Sequence, residues 1–249
     1  VYKGDYAHFT LKEIYEQPDV ILKVGEKAVE GIEKAVEYIK NAKNIYITGS
    51  GTSYNSALIA KQILSKYVKI KSEPIISSEL QFAPDTIEEN SIFIAISQSG
   101  ESADVLEAVR IAKKLNCKII SIVNLLTSSL TRKGDVVLGM NCGPEIGVAS
   151  TKAFTTQLAT LACLTLYASE CRQTLPKDIV VNLVEDLIEL PALTAEVLTI
   201  DNSLNKIAMQ YKIAFGSELI AQGQTKRSGS LINSLKSTVH MGYPTTIRF

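Results

Sequence analysis

Short apolar runs alternate with amphipathic stretches over the first 140 residues of the chain. The spacing of apolar residues predicts three helices, at 19–40, 54–67 and 103–115. Runs without polar alternation predict buried strands, because such strands are covered by helices on both faces. These runs lie at 44–48, 70–76, 91–96, 118–123 and 135–138. Strands repeating at intervals of about 25 residues predict a doubly wound α/β fold. It would have three αβα layers, with a mainly parallel five-stranded sheet in the middle.

The pattern changes after residue 150. Apolar residues at helical spacing predict additional helices at 151–170 and 176–198, and another that begins near residue 201. From Ile213 onward the periodicity weakens and glycines recur, at Gly216, Gly223 and Gly229. Residues 213–249 are therefore predicted to form an irregular tail.

Charge and cysteine usage narrow the class of protein. The 26 basic and 26 acidic side chains balance, which argues against a broad surface for nucleic acid or an anionic membrane. The apolar runs are too short to span a bilayer, and the chain opens without the apolar core of a signal peptide. The four cysteines form no Cys-x-x-Cys pair, and His8 and His240 are the only histidines, so no metal site is predicted. Scattered thiols favour a reducing cytoplasm.

The first candidate for chemistry is the turn Gly49-Ser50-Gly51-Thr52-Ser53, which follows the strand predicted at 44–48. Glycines allow a tight turn, and Thr52 or Ser53 can cap the next helix, whose N-terminus attracts an anion. A plain helix cap with a glycine turn explains the same residues equally well. The turn matches neither a dinucleotide fingerprint nor a P-loop, and no cofactor is predicted.

A second polar turn follows the strand predicted at 91–96. Ser97, Gln98, Ser99 and Ser102 supply three hydroxyls and an amide, more polar groups than one helix start requires. Glu101 is assigned a capping or sugar-facing role, because its carboxylate would repel an anion. Both turns are predicted at the carboxyl ends of parallel strands, where ligands bind in doubly wound sheets. Together they predict one anionic ligand held from two sides.

The third segment is the loop 143–152, which leads into the helix predicted at 151–170. Ser150 is a candidate N-cap of that helix. Glu145 and Lys152 supply an acid and a cation near the predicted site, and they are the candidates for a catalytic role. Surface charge combined with helix capping is the alternative interpretation of both residues.

These three segments resemble the sugar isomerase (SIS) family. Within it, GTSYNSA (51–57), SQSGESADVLEA (97–108) and PEIGVASTKAFTTQL (144–158) are similar to the isomerase half of glutamine–fructose-6-phosphate aminotransferases, also called glucosamine-6-phosphate synthases. HFTLKEIYEQP (8–18) resembles the connector between the glutaminase and isomerase halves of those enzymes, which other SIS proteins are not expected to share. The resemblance covers about residues 5–210.

The resemblance implies a site for fructose 6-phosphate or glucose 6-phosphate. By matching positions, the sugar is contacted by the backbone of Val148, together with Glu145 and Ser150. The family usually has Thr at position 102 and Cys at position 50, where this chain has Ser. The residues that would hold the sugar phosphate are Thr52, Ser53, Ser97, Gln98, Ser99 and Ser102.

The implied activity is transfer of ammonia from glutamine to fructose 6-phosphate, followed by isomerisation to glucosamine 6-phosphate. A homodimer and a glutaminase domain are the implied partners. However, the segment after Tyr211 does not match the second SIS subdomain, and the helix that carries the family's general base is not found. The chain also begins with Val1 rather than Met. We therefore expect a truncated or frame-altered piece that is incomplete as a catalyst.

The predicted organisation is a connector at 1–18, a SIS phosphosugar-binding domain at 19–172, a helical extension at 173–212 and the tail at 213–249. Two alternatives remain. The chain could be a non-catalytic module that senses phosphosugars, which a preceding DNA-binding domain would favour. It could also be another SIS isomerase or deglycase, although the connector argues against both.

Overall fold

The computed structural model describes residues 2–27 and 29–199. The helix predicted from residue 201, the tail at 213–249 and His240 lie outside the described residues. Within the two described ranges, no helix is both long enough and apolar enough to cross a membrane.

The centre of the fold is a five-stranded sheet in which all neighbouring strands are parallel. The strand order is β2-β1-β3-β4-β5. Each strand lies within one residue of its predicted bounds, and the predicted α/β fold is confirmed. The strands are β1 (Asn44–Gly49), β2 (Lys71–Ile76), β3 (Ile92–Ser97), β4 (Lys118–Val123) and β5 (Val136–Gly139).

Eight α-helices surround this sheet in the described part of the chain: α1 (Phe9–Tyr15), α2 (Gln17–Lys27), α3 (Val29–Lys40), α4 (Thr52–Ile63), α5 (Ala103–Lys114), α6 (Ser129–Lys133), α7 (Lys152–Cys171) and α8 (Lys177–Leu198). The stretch 19–40, predicted to be helical, is occupied by α2 and α3, and residue 28 between them lies outside the described residues. The sequence analysis missed α1 and α6, because helices of seven and five residues are too short to establish a period.

The two faces of the sheet are both buried, which explains the continuous apolar runs. Ile45, Ile47 and Ile94 belong to a core cluster with side chains of α3, α4 and α7. Their neighbours Tyr46 and Phe93 belong to a second cluster with side chains of α5 and α6. Successive side chains of a strand point to opposite faces, so helices cover the sheet on both sides. The predicted three layers are confirmed.

The strand order creates a crevice at one edge of the sheet. From β1 the chain moves to β2 on one side, and it then returns to β3 on the other side of β1. The connections that leave the carboxyl ends of β1 and β3 therefore diverge, and ligands of such folds bind in the gap between them. The two polar turns, 49–53 and 97–102, lie at these ends.

Candidate functional site

The first turn joins β1 to α4 through Gly51, which has a positive φ of 57°. Gly51 is the N-cap residue of α4, and no side chain caps this helix by a hydrogen bond. The prediction that Thr52 or Ser53 caps the helix is therefore wrong. Both side chains are nearly buried and line a cavity at the crevice instead.

A buried amide on α7 orients the hydroxyl of Ser53. Gln157 accepts a hydrogen bond from Ser56 Oγ at 2.7 Å through Oε1, which turns its Nε2 toward Ser53. Nε2 then donates to Ser53 Oγ at 3.0 Å. Because an amide nitrogen only donates, Ser53 accepts this bond and its own proton is left for the cavity. Sequence analysis did not single out Gln157, because its partner lies 104 residues away.

The second turn joins β3 to α5 and uses its serines in the same way. Ser97 Oγ accepts a hydrogen bond from the backbone N–H of Gly100 at 3.0 Å. Ser99 Oγ accepts one from the N–H of Glu101 at 3.2 Å. As with Ser53, each serine oxygen accepts from nitrogen, so each hydroxyl proton remains available to a ligand. Ser102 is the N-cap residue of α5, but its side chain makes no capping hydrogen bond.

Glycine is required at position 100. Its φ is 67°, and a Cβ there would lie 2.1 Å from Ser128 Oγ at the start of α6. The turn thus packs closely against the connection between β4 and β5, and this contact constrains the backbone that carries Ser97 and Ser99.

Glu101 points away from the cavity. Its carboxylate accepts a hydrogen bond from Ser129 N at 2.7 Å, and this bond lowers the pKa of Glu101. It therefore caps α6 rather than the helix that follows it in sequence. This arrangement turns a negative charge away from the serine hydroxyls.

The loop between β5 and α7 contributes the third wall. Glu145 Oε1 accepts hydrogen bonds from Thr151 N at 2.8 Å and Ala153 N at 3.2 Å, so Glu145 caps α7. The prediction that Ser150 caps α7 is wrong, because the N-cap residue of this helix is Thr151. Ser150 Oγ is buried without a hydrogen-bond partner and lines the cavity.

Burial has a clear effect on Glu145. It raises the pKa of this carboxyl, although the hydrogen bonds from Thr151 and Ala153 oppose the shift. The carboxylate of Glu13 lies close enough to raise the pKa further. The environment of Glu145 thus disfavours its charged form relative to that of an exposed glutamate.

These three segments enclose a cavity of about 250 Å³. Among the described residues that line it, none is Lys, Arg or His, and Glu145 is the only carboxylate. The cavity therefore presents neutral donors around one carboxyl group whose pKa is raised by burial. The structure brings together nine of the ten residues predicted for the site: Thr52, Ser53, Ser97, Gln98, Ser99, Ser102, Glu145, Val148 and Ser150.

The sequence profile of the SIS domain matches residues 38–167, which is more than half of the chain. The chain belongs to the SIS family. The matched stretch contains all five strands and the three segments that line the cavity. The resemblance inferred from those segments is confirmed.

Curated relatives of this SIS chain are glutamine–fructose-6-phosphate aminotransferases (isomerizing). The protein from Thermotoga maritima is 40% identical over 217 residues, which are 84% of this chain and 36% of that protein. The protein from Clostridium acetobutylicum is 37% identical over 83% of this chain and 35% of its own length. The chain thus spans about a third of the length of these relatives.

Solved structures agree with the sequence comparison. The C-terminal domain of glucosamine-fructose-6-phosphate aminotransferase from Francisella tularensis superimposes with a TM-score of 0.79 at 36% identity, over 83% of this chain and 60% of that one. Glucosamine-6-phosphate deaminase from Thermotoga maritima gives a TM-score of 0.59 at 26% identity, over 78% of this chain and 55% of that one.

The tenth predicted residue of the SIS site, Lys152, does not line the cavity. Its side chain is 5% exposed, and its Nζ lies 2.7 Å from Glu16 Oε2. Glu13, three residues before Glu16, accepts hydrogen bonds from the loop between β5 and α7, residues 140–151, which we call the cavity loop. Sequence analysis assigned both glutamates to a connector and missed their contacts with the site. Their spacing of three residues, which puts them on one side of a helical turn, was the available signal.

Proposed function

We propose that this SIS domain binds the phosphate of fructose 6-phosphate or glucose 6-phosphate between its two serine turns. One observation carries the proposal: Ser53, Ser97 and Ser99 each accept a hydrogen bond from a nitrogen of the protein. Their oxygens are oriented by the fold, and their protons are left to donate. Three such donors around one cavity favour an anion that accepts several hydrogen bonds at once.

A cation is not needed for this binding mode. Hydrogen bonds to a charged oxygen contribute about 1.5–3 kcal/mol each, roughly twice the value of neutral ones. The N-termini of α4 and α5 also face this region, and their partial positive charge favours an anion. We assign Thr52, Gln98 and Ser102 to the same phosphate.

The third wall suits the neutral part of the ligand. Val148 is exposed, Ser150 has an unpartnered hydroxyl, and Glu145 is a hydrogen-bond acceptor at the same wall. We assign these three residues to the sugar. A cavity of about 250 Å³ lies below the usual range of roughly 300–1,000 Å³ for ligand pockets. It therefore suits a phosphate and the adjoining carbons better than a larger ligand.

For the protein as a whole, we propose glutamine–fructose-6-phosphate aminotransferase (isomerizing) activity in amino sugar biosynthesis. The relatives from Thermotoga maritima and Clostridium acetobutylicum, which carry that name, support it. We also expect a glutaminase domain as partner and a homodimer as the assembly. Four free cysteines among the described residues are consistent with the reducing cytoplasm.

We expect the chain on its own to bind the sugar phosphate without turning it over. Moving a proton between two sugar carbons requires a positioned base. Glu145 already accepts two backbone hydrogen bonds through Oε1, and the amine of Lys152 is paired with Glu16. Both candidates from the sequence therefore have structural partners, which favours a base supplied from elsewhere in the complete enzyme.

Calorimetric titration with fructose 6-phosphate, glucose 6-phosphate and fructose tests the proposed ligand. We expect a sugar phosphate to bind and fructose to give no detectable heat, because the serine turns hold the phosphate. Equal binding of fructose would contradict the proposal. An assay for glucosamine 6-phosphate formed from fructose 6-phosphate and ammonia tests the second part, and robust turnover by the chain would overturn it.

A further inference from the structure

The cavity loop between β5 and α7 has no strand or helix of its own between residues 140 and 151. Backbone groups of such a segment need partners from elsewhere in the fold. At the centre of the loop, the N–H groups of Ile146 and Gly147 both find the same partner, the carboxylate of Glu13 on α1.

The geometry of this contact is specific. Glu13 Oε1 lies 2.5 Å from Ile146 N and 3.1 Å from Gly147 N, and Oε2 also lies 3.1 Å from Gly147 N. The Glu13 side chain is buried, with 2% of the residue exposed. Burying a carboxylate costs free energy unless hydrogen bonds compensate it. Both of its oxygens are therefore committed to the loop backbone.

Gly147 provides an independent sign that α1 and the loop are fitted to each other. A Cβ at position 147 would lie 2.5 Å from Glu13 Oε2 and 2.7 Å from Thr10 Oγ1. An alanine there requires the side chains of Glu13 and Thr10 to shift. The close approach of α1 thus depends on the missing side chain as well as on the carboxylate.

Two further contacts hold the same N-terminal segment against the start of α7. Glu16 pairs with Lys152, and Thr155 Oγ1 donates a hydrogen bond to Gln17 Oε1. These contacts lie next to the cavity loop, whereas Glu13 holds its centre. The loop and the start of α7 are therefore both held by residues more than 130 positions earlier in the chain.

We infer that Glu13 is a positioning residue for the sugar side of the cavity. By accepting the N–H groups of Ile146 and Gly147, it sets the backbone that carries Val148 and Ser150 to the cavity wall. Glu13 itself does not line the cavity. The phosphate side is built by the turns at 49–53 and 97–102, which Glu13 does not hold. The inference rests on the proposed phosphosugar function.

The test compares two ligands on the full chain. We propose Glu13→Gln and Glu13→Ala, with NMR titration of fructose 6-phosphate and of inorganic phosphate. Glu13→Ala should weaken fructose 6-phosphate binding about tenfold, equivalent to about 1.4 kcal/mol, and leave phosphate binding within about twofold. Glu13→Gln keeps one acceptor oxygen and should show a smaller, partial loss. The amide signals of Ile146 and Gly147 should move in both variants.

Gly147→Ala disturbs the same contact from the loop side, because the new Cβ would lie 2.5 Å from Glu13 Oε2. It serves as the test if Glu13→Ala fails to fold. It should also lower fructose 6-phosphate affinity selectively, because the new Cβ displaces Glu13. Asp19→Asn is the matched control, since it removes an exposed carboxylate from the neighbouring helix α2. It should leave both affinities unchanged.

The outcomes separate the two proposals. If the unaltered chain binds neither ligand, the proposed function fails. If it binds both, and the Glu13 and Gly147 variants retain the ratio of the two affinities, the positioning role is wrong. A loss of thermal stability with an unchanged ratio would likewise assign Glu13 a structural role only.

Discussion

The second serine turn and the cavity loop build the same cavity by different means. In the second turn, the hydrogen bonds that orient Ser97 and Ser99 span three and two residues. In the loop, the hydrogen bonds that hold Ile146 and Gly147 span 133 and 134 residues. The second turn is thus shaped locally, although Ser53 in the first turn is oriented by Gln157, 104 residues away. The sugar side depends on α1 being in place.

This difference predicts where single changes act. Changes in the turns should disturb anion binding and the local backbone together. Changes on α1 should reach only the sugar. The variants below test this contrast, and they begin with the one expected to have the largest effect.

Gly100→Ala should cost the most stability. An alanine with a φ near 67° is strained by roughly 1–2 kcal/mol, and its Cβ would also lie 2.1 Å from Ser128 Oγ. We expect urea denaturation to show a loss clearly greater than this strain, and fructose 6-phosphate binding to fall as the turn moves.

Gly143→Ala is the matched control for that clash. Gly143 has a similar φ of 70°, but the nearest atom to its Cβ would be Lys152 Nζ at 4.0 Å. It should show the strain alone. Equal losses of stability in the two variants would mean that the contact with Ser128 does not constrain the turn.

Ser150→Ala should have opposite effects on stability and binding. The buried Ser150 hydroxyl has no hydrogen-bond partner, so its removal should leave the free protein unchanged or stabilise it by up to about 1 kcal/mol. If the hydroxyl finds its partner in the sugar, affinity for fructose 6-phosphate should fall about 3- to 10-fold. Thermal melts with and without ligand measure both effects, and an unchanged ligand-induced shift would remove Ser150 from the site.

Glu16→Gln should produce the smallest effect, and one that depends on pH. Burial raises the pKa of Glu16, but hydrogen bonds from Lys152 and Lys12 outweigh it and lower the pKa from 4.5. A carboxyl group whose pKa is lowered by folding stabilises the fold at pH values above its unfolded-state pKa. This contribution is lost as the pH falls through the lowered pKa. The unaltered chain should therefore be more stable than the variant near neutral pH.

That advantage should shrink below about pH 4.5. Urea denaturation at a series of pH values measures it. A difference that stays constant down to the acid limit would show that the pair with Lys152 contributes nothing through its charge.

The sequence predicted the sheet and the two turns because their signals are local. Strand bounds followed from continuous apolar runs, and the turns from Ser and Gly directly after them. The sequence did not predict the helix caps. Gly51 is the N-cap residue of α4, where Thr52 or Ser53 was expected. Thr151 and the carboxylate of Glu145 cap α7, where Ser150 was expected. Several short polar side chains can reach the same N–H groups, and packing decides between them.

Long-range partners were beyond local patterns. Nothing near Ser53 in sequence indicates Gln157, and nothing near Gly147 indicates Glu13. Lys152 illustrates the converse error, since a lysine beside a predicted site is paired with Glu16 instead. The second turn was predictable because its contacts are local, whereas the partners of Ser53 and Gly147 lie more than 100 residues away in sequence.

Calorimetry of fructose 6-phosphate binding to Ser97→Ala/Ser99→Ala tests most directly whether serine hydroxyls hold the phosphate. Two lost charge-assisted hydrogen bonds should cost roughly 3–6 kcal/mol, which is a loss of more than about 100-fold. Ser65→Ala, an exposed serine that does not line the cavity, should bind normally. Unchanged affinity in the folded double variant would contradict the account.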